Sequence, residues 1–446
     1  MDTNMKNIIM KIKSLTLEEI NKNLVFVALL TLIYRLGNFY NTFVPKPFEV
    51  ILVLIIMLTL ADLIINRKFK EFFLSIDKKI WVALFCLVFS VLFGWLMSFF
   101  VKKIPINLNV ILEFGNFVIS IVIFVLVLFY TRNDKIYAKR YLYALLLPVV
   151  YIVFIVFPEW VNYFHIGNKS SFAGFTMNPN IISKILLIPT LFFVAYSLFK
   201  FRNKWINIFY IFISSLLIAL LFWISSRGGL VALILSLIFL WLIFSFNNFN
   251  WKKLFYSGVL VFIIFLIGFS VTPQIGKQRI ILRTLYPAGS DASKYLPIRE
   301  KSISDVVTAF KNDKFNNPIF IYPGRETRFL IWPFYLRQVL INPLGIGPHT
   351  HFSFDLMDNN GDHINSGPHN TFLQIWLWGG LLGIFSFLFI LINAFKNLWI
   401  KLRSDFNPKT LALLCILFVL SISIMFDDSL SFFWFFIILA LALRYD

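Results

Sequence analysis

Residues 355–395 read DLMDNNGDHINSGPHNTFLQIWLWGGLLGIFSFLFILINAF. The part before Thr371 is mostly polar and rich in turn-forming residues. The part from Thr371 to Phe395 holds no charged residue at all. A helix needs about 20 apolar residues to cross the hydrocarbon core of a bilayer. Backbone in contact with lipid must satisfy its hydrogen bonds internally, so such a run is expected to be helix. Residues 371–395 therefore read as a membrane helix, and the polar residues before it as the end of a long excursion from the bilayer. That excursion runs from Pro273 to Asn370, and nearly everything on either side reads as membrane helix.

Composition agrees. The chain has 446 residues, of which 59% are hydrophobic and 14% charged. Soluble domains carry about 25% charged residues. Working outward from the opening stretch, twelve apolar runs emerge, at about 24–44, 47–65, 80–101, 110–130, 141–157, 181–200, 205–225, 229–247, 254–272, 371–395, 410–426 and 429–443. The expectation is an all-α polytopic membrane protein: a bundle over 1–272, one large outward loop over 273–370, and a C-terminal membrane segment over 371–446. No repeat is visible. Cys86 and Cys415 both lie in apolar runs and offer neither a disulfide framework nor metal spacing. The first 23 residues are polar and of mixed charge, unlike a cleavable signal peptide.

The net charge of +19 would suggest nucleic acid in a soluble protein. Here the basic residues fall in short loops, with no basic domain to hold a nucleic acid. With the N-terminus in the cytoplasm, the cytoplasmic segments carry 23 Lys and Arg, and the short segments of the other side carry five. That asymmetry is the positive-inside pattern. It turns the 273–370 segment outward, to the periplasmic side of an inner membrane, and both termini inward.

Within that segment, Arg299–Lys311 and Arg325–Ile341 have helical apolar spacing. The second, with Phe329, Trp332, Leu336, Val339 and Leu340, reads as an amphipathic helix lying on the membrane, with Pro333 as a kink. Residues 349–370 read as polar loop.

Several residues suit chemistry on a phosphorylated substrate. Arg227, in Ser225-Ser226-Arg227-Gly228-Gly229, is either a snorkelling helix-end arginine or an anion site at a helix N-terminus. Arg325 and Arg328 share a helical face, with Arg337 further along. They either bind headgroups or join Arg227 on a diphosphate, whose charge calls for several cations. His369, in Gly367-Pro368-His369-Asn370, is either a solvated loop histidine or a general base. His349, His351 and His363, with Asp355, Asp358 and Asp362, match no specific zinc spacing. Phe372, Trp376 and Trp378 read as interfacial belt. Arg35, Glu49, Asp62, Glu113 and Lys184 fall within apolar runs, where charge hints at function. Glu49 and Lys184 are near enough to helix ends to snorkel.

Three signatures in order resemble the O-antigen ligase and polymerase superfamily. They are Ser226-Arg227-Gly228-Gly229; Arg328 and Trp332 followed by Asn342-Pro343-Leu344-Gly345-Ile346-Gly347; and Pro368-His369-Asn370-Thr371-Phe372-Leu373 followed by Gly379-Gly380-Leu381-Leu382-Gly383. Asn178-Pro179-Asn180 is also similar to relatives. The resemblance implies a GT-C-like glycosyltransferase that takes a glycan from undecaprenyl diphosphate on the periplasmic face and passes it to an acceptor hydroxyl, that of lipid A-core or of a growing chain. It implies that Arg227 and Arg328 hold the diphosphate, that His369 is the base, and that no metal or other cofactor is needed. Polymerisation and transfer to a protein side chain use the same donor and stay open. So does, more distantly, a flippase or other transporter, although the sequence shows no sign of the repeats and broken midplane helices common there.

Overall fold

The computed structural model describes residues 16–31, 47–100, 108–132, 134–147, 179–199, 203–224, 226–247, 250–272, 277, 327–348, 352–357, 363–366, 368–426 and 433–444. For a few of these, Arg227 and Arg328 among them, only the backbone is described. The helices are α1 Leu17–Thr31, α2 Pro47–Ile65, α3 Phe69–Leu74, α4 Lys78–Phe100, α5 Leu108–Thr131, α6 Lys135–Ala144, α7 Pro179–Ser197, α8 Lys204–Ile224, α9 Arg227–Phe246, α10 Trp251–Val271, α11 Thr327–Ile341, α12 Thr371–Ser404, α13 Pro408–Ser423 and α14 Phe433–Arg444. Among the described residues, seven helices are long and apolar enough to cross a membrane, and three apolar ones are shorter.

Two helices begin earlier than hydropathy suggests, because caps decide where they start. At α1, Thr16 Oγ1 accepts from the Glu19 N–H while Glu19 Oε2 accepts from the Thr16 N–H, both at 3.2 Å. This reciprocal box starts the helix in polar sequence. At α6, Asp134 accepts from the N–H groups of Ile136 and Tyr137. Residues 349–370, expected as loop, contain an antiparallel hairpin of β1 Phe352–Met357 and β2 His363–Ser366, with a register shift between Ser353 and Met357. The period-2 signal of this short pair is lost among its polar residues.

Among the described residues, the most extensive helix pairing joins α4 to α12. Small residues four apart permit it: Ser90 and Gly94 on α4, Gly379 and Gly383 on α12. A methyl group on Gly379 or Gly383 would meet the Ser90 hydroxyl, and one on Gly94 would meet the Trp378 carbonyl. Trp378 is 1% exposed and stacks edge-on against Phe117. It is core, not the interfacial belt expected of it, because the helix break beside it turns it inward.

The bundle has two distinct ends. The rings of Phe199, Phe244 and Phe406 meet at 5.4–5.9 Å, with Lys253 over two of them. These residues sit at the C-termini of α7 and α9, the start of α10 and the α12–α13 turn. The same end carries the ion pairs of Lys22 with Glu18 and Asp134, of Lys68 with Glu18 and Asp62, and of Arg132 with Glu71, at 2.7–3.3 Å. Burial pushes the Glu18 carboxyl up, but hydrogen bonds from Lys68 and Lys22 outweigh it and hold it below its ordinary value. Asp62, buried in an apolar run, is thus the partner of a lysine at that end. The N-termini of α7, α9 and α12 consequently lie at the opposite end.

Candidate active site at one end of the bundle

α12 breaks at Gly380, whose φ of 62° and ψ of −158° fall outside the helix. A break frees backbone groups that lipid cannot satisfy. Here the Asn342–Gly347 loop satisfies them. The N–H groups of Ile346 and Gly347 donate to the Leu377 and Trp378 carbonyls at 2.8 and 3.0 Å, and the Leu381 N–H donates to the Pro343 carbonyl at 2.8 Å. Ser98 on α4 donates its hydroxyl to the Ile346 carbonyl at 2.6 Å. Gly345 and Gly347 both have positive φ, and Gly345, Gly347 and Gly380 all lie where a Cβ would strike backbone. The glycines of two distant sequence signatures are therefore one joint.

α11 docks beside that joint. Trp332 Nε1–H donates to the Pro368 carbonyl at 2.8 Å, tying α11 to the residue before His369. Tyr335 and Val339 are buried, whereas Leu336 and Leu340, expected on the apolar face, are turned out. The docked stripe runs through Trp332, Tyr335 and Val339, and Arg328 precedes Trp332 by one helical turn in the sequence. Arg337 is exposed, on roughly the opposite side of the helix. Helix α11 continues through Pro333 as one element.

His369 sits between two fixed neighbours. Pro368 is held through its carbonyl. Asn370 caps α12, its side chain accepting from the N–H groups of Phe372 and Leu373 at 3.0 and 3.2 Å. His369 itself has φ +45°, in the left-handed region that a bulky residue rarely adopts. One turn below the cap, Gln374 is buried and its Oε1 lacks a hydrogen-bond partner among the described residues. Sequence reading passed over it, since a lone amide in an apolar run carries no motif.

The first signature opens α9. Ser226 is its N-cap, accepting from the Gly229 N–H at 3.3 Å, and Arg227 is the first helical residue. A Cβ on Gly229 would collide with the side chain of Ser183 on α7, so the two helices touch at this level. Lys184 follows at once, 3% exposed within a run from Ile182 to Phe192 that is buried throughout. The expectation that Lys184 snorkels fails, because α7 has no lipid-facing side there. The structure thus puts Arg227, Lys184 and His369 at one end of the bundle, and ties the helix that bears Arg328 to Pro368, the residue before His369. Arg325, His349 and His351, Asp358 and Asp362, and the helix expected over 299–311 lie outside the described residues, as do the side chains of Asp355 and His363.

This layout can be set beside known families. Residues 212–388 match the family model of O-antigen ligase. That segment is similar to the O-antigen ligase and polymerase superfamily. The matched stretch contains Arg227, Arg328 and His369, together with the glycine joint. No curated protein matches the chain. The chain is accordingly a membrane protein with a glycosyltransferase-like ligase or polymerase segment, whose partners are of the lipid-linked glycan and glycan-acceptor classes.

Proposed function

We propose that the chain is an O-antigen ligase-type glycosyltransferase of the bacterial inner membrane. It moves a glycan from undecaprenyl diphosphate to a sugar hydroxyl of lipid A-core on the periplasmic side. The observation that carries this reading is the Trp332–Pro368 hydrogen bond, which brings the arginine-bearing helix to the histidine. The excess of Lys and Arg at the ion-paired end supports a cytoplasmic location for it, and so an outward one for the site. About twelve spans, with 273–370 as the periplasmic segment, fit that orientation.

In this mechanism the acceptor hydroxyl attacks the anomeric carbon, and the bond from that carbon to the diphosphate oxygen breaks. The imidazole of His369 takes the hydroxyl proton. Negative charge grows on the departing diphosphate, and Arg227 and Arg328, with Arg325, stabilise it where it develops. Arg337, on the far face of α11, is better suited to lipid headgroups. The chemistry assigned to these residues calls for no metal or other cofactor.

The test is a purified reaction with one undecaprenyl-diphosphate-linked glycan and three competing acceptors: lipid A-core, a second lipid-linked glycan and a Ser/Thr peptide. Product mass is the readout. The reading expects glycosylated lipid A-core and free undecaprenyl diphosphate. Chain extension of the second lipid-linked glycan would make the protein a polymerase. A glycan that never leaves its carrier with any acceptor would overturn the enzymatic reading.

A further inference from the structure

Lys184 is a charged side chain at 3% exposure, in a helix that is buried on every side over eleven consecutive residues, Ile182–Phe192. Taking an ammonium group out of water is costly unless the protein or a ligand supplies opposite charge or hydrogen-bond acceptors. Intramembrane charge of this kind faces the bundle interior or a polar cavity and marks a substrate path. Its level in the bundle is fixed by its neighbour. Ser183 packs onto Gly229, and only the missing side chain of Gly229 lets α7 and α9 come so close. Gly229 lies two residues into α9 from Arg227, a rise of about 3 Å. Lys184 is therefore level with the first turn of α9, at the end of the bundle where α12 also begins.

We propose that Lys184 is a further cationic ligand of the carrier diphosphate, alongside the arginines, its Nζ donating to a diphosphate oxygen from inside the bundle beside the N-terminus of α9. This rests on the reading of Arg227 as a diphosphate ligand. The assignment suits the chemistry. The carrier diphosphate has at least two negative charges when bound and gains another as the glycosidic bond breaks. A lysine ammonium is a compact point charge with rotatable donors, suited to a phosphate that the planar arginines do not span.

The experiment measures binding of undecaprenyl diphosphate and undecaprenyl monophosphate to the full chain in nanodiscs, for wild type, Lys184→Met, Lys184→Arg and Arg227→Gln. Lys184→Met is expected to weaken diphosphate binding about ten- to a hundred-fold, to weaken monophosphate binding much less, and to be largely rescued in Lys184→Arg. Wild-type diphosphate affinity in Lys184→Met, alongside a loss in Arg227→Gln, would overturn the lysine assignment alone. Undiminished binding in both variants would overturn the diphosphate reading of the whole site. Should Lys184→Met fail to elute as folded protein, imaging wild type with undecaprenyl diphosphate decides. A phosphate oxygen within hydrogen-bond reach of Nζ supports the proposal, and an ammonium group paired only to the chain's own carboxylate overturns it.

Discussion

His369 occupies a backbone conformation that costs an ordinary residue about 1–2 kcal/mol. Its neighbours are fixed on both sides: Pro368 is anchored to Trp332, and Asn370 to the first turn of α12. Strain held by its surroundings is characteristic of sites where a side chain must be aimed. His369→Gly relieves the strain and removes the ring, so it separates the two roles. Thermal unfolding in detergent should change by no more than ~1 kcal/mol, whereas glycan transfer should vanish with donor binding intact. Normal transfer by His369→Gly would end the base assignment. The two arginines of α11 should differ as sharply. Arg328→Lys keeps the charge but loses the fork, and kcat/KM should fall at least about ten-fold. Arg337→Ala, on the exposed face, should stay near wild type. Equal losses in both would mean that α11 acts as a surface anchor. Arg227, Arg328 and His369 were legible as candidates because each sits in a short polar motif beside an apolar run. Lys184 was not, since distance from a helix end cannot reveal that a helix is enclosed on all sides.

Among elements, the α4–α12 pair and the Asn342–Gly347 loop form the joint on which the site rests. Gly345 has φ +83°, and a methyl there would strike the Trp378 carbonyl. Gly345→Ala should therefore lower stability by roughly 2 kcal/mol or more, read as a drop in the thermal midpoint. An unchanged midpoint would show that the loop does not insert into the break. Trp332→Phe removes one hydrogen bond, worth about 1 kcal/mol. Its effect on kcat should exceed its effect on the thermal midpoint, because the lost bond aligns α11 with His369. Helix positions followed from apolar length, and most ends lie within a few residues of expectation. The misses have local causes. The Thr16–Glu19 box and Asp134 started helices in polar sequence. The face of α11 was read one position off, since Tyr335 and not Leu336 packs inward, and a stripe at three and four spacing does not say which of its edges meets a partner.

At the scale of the molecule, all of this depends on one end of the bundle being shared. The aromatic and ion-paired residues that gather the C-termini of α7, α9 and α5 fix the other end, and a charge count along the sequence foreshadowed that division. Which helices pair could not be read in advance, because nearly every face of each is apolar and the matching small residues lie almost 300 positions apart, at Ser90 and Gly383. The most direct measurement is the distance between spin labels at Arg227→Cys and His369→Cys, with Cys86 and Cys415 replaced, in nanodiscs. A shared pocket predicts a separation well below the ~30 Å thickness of the hydrocarbon core. A separation equal to that thickness or greater would put the guanidinium and the imidazole in different places and contradict a common site for donor and base.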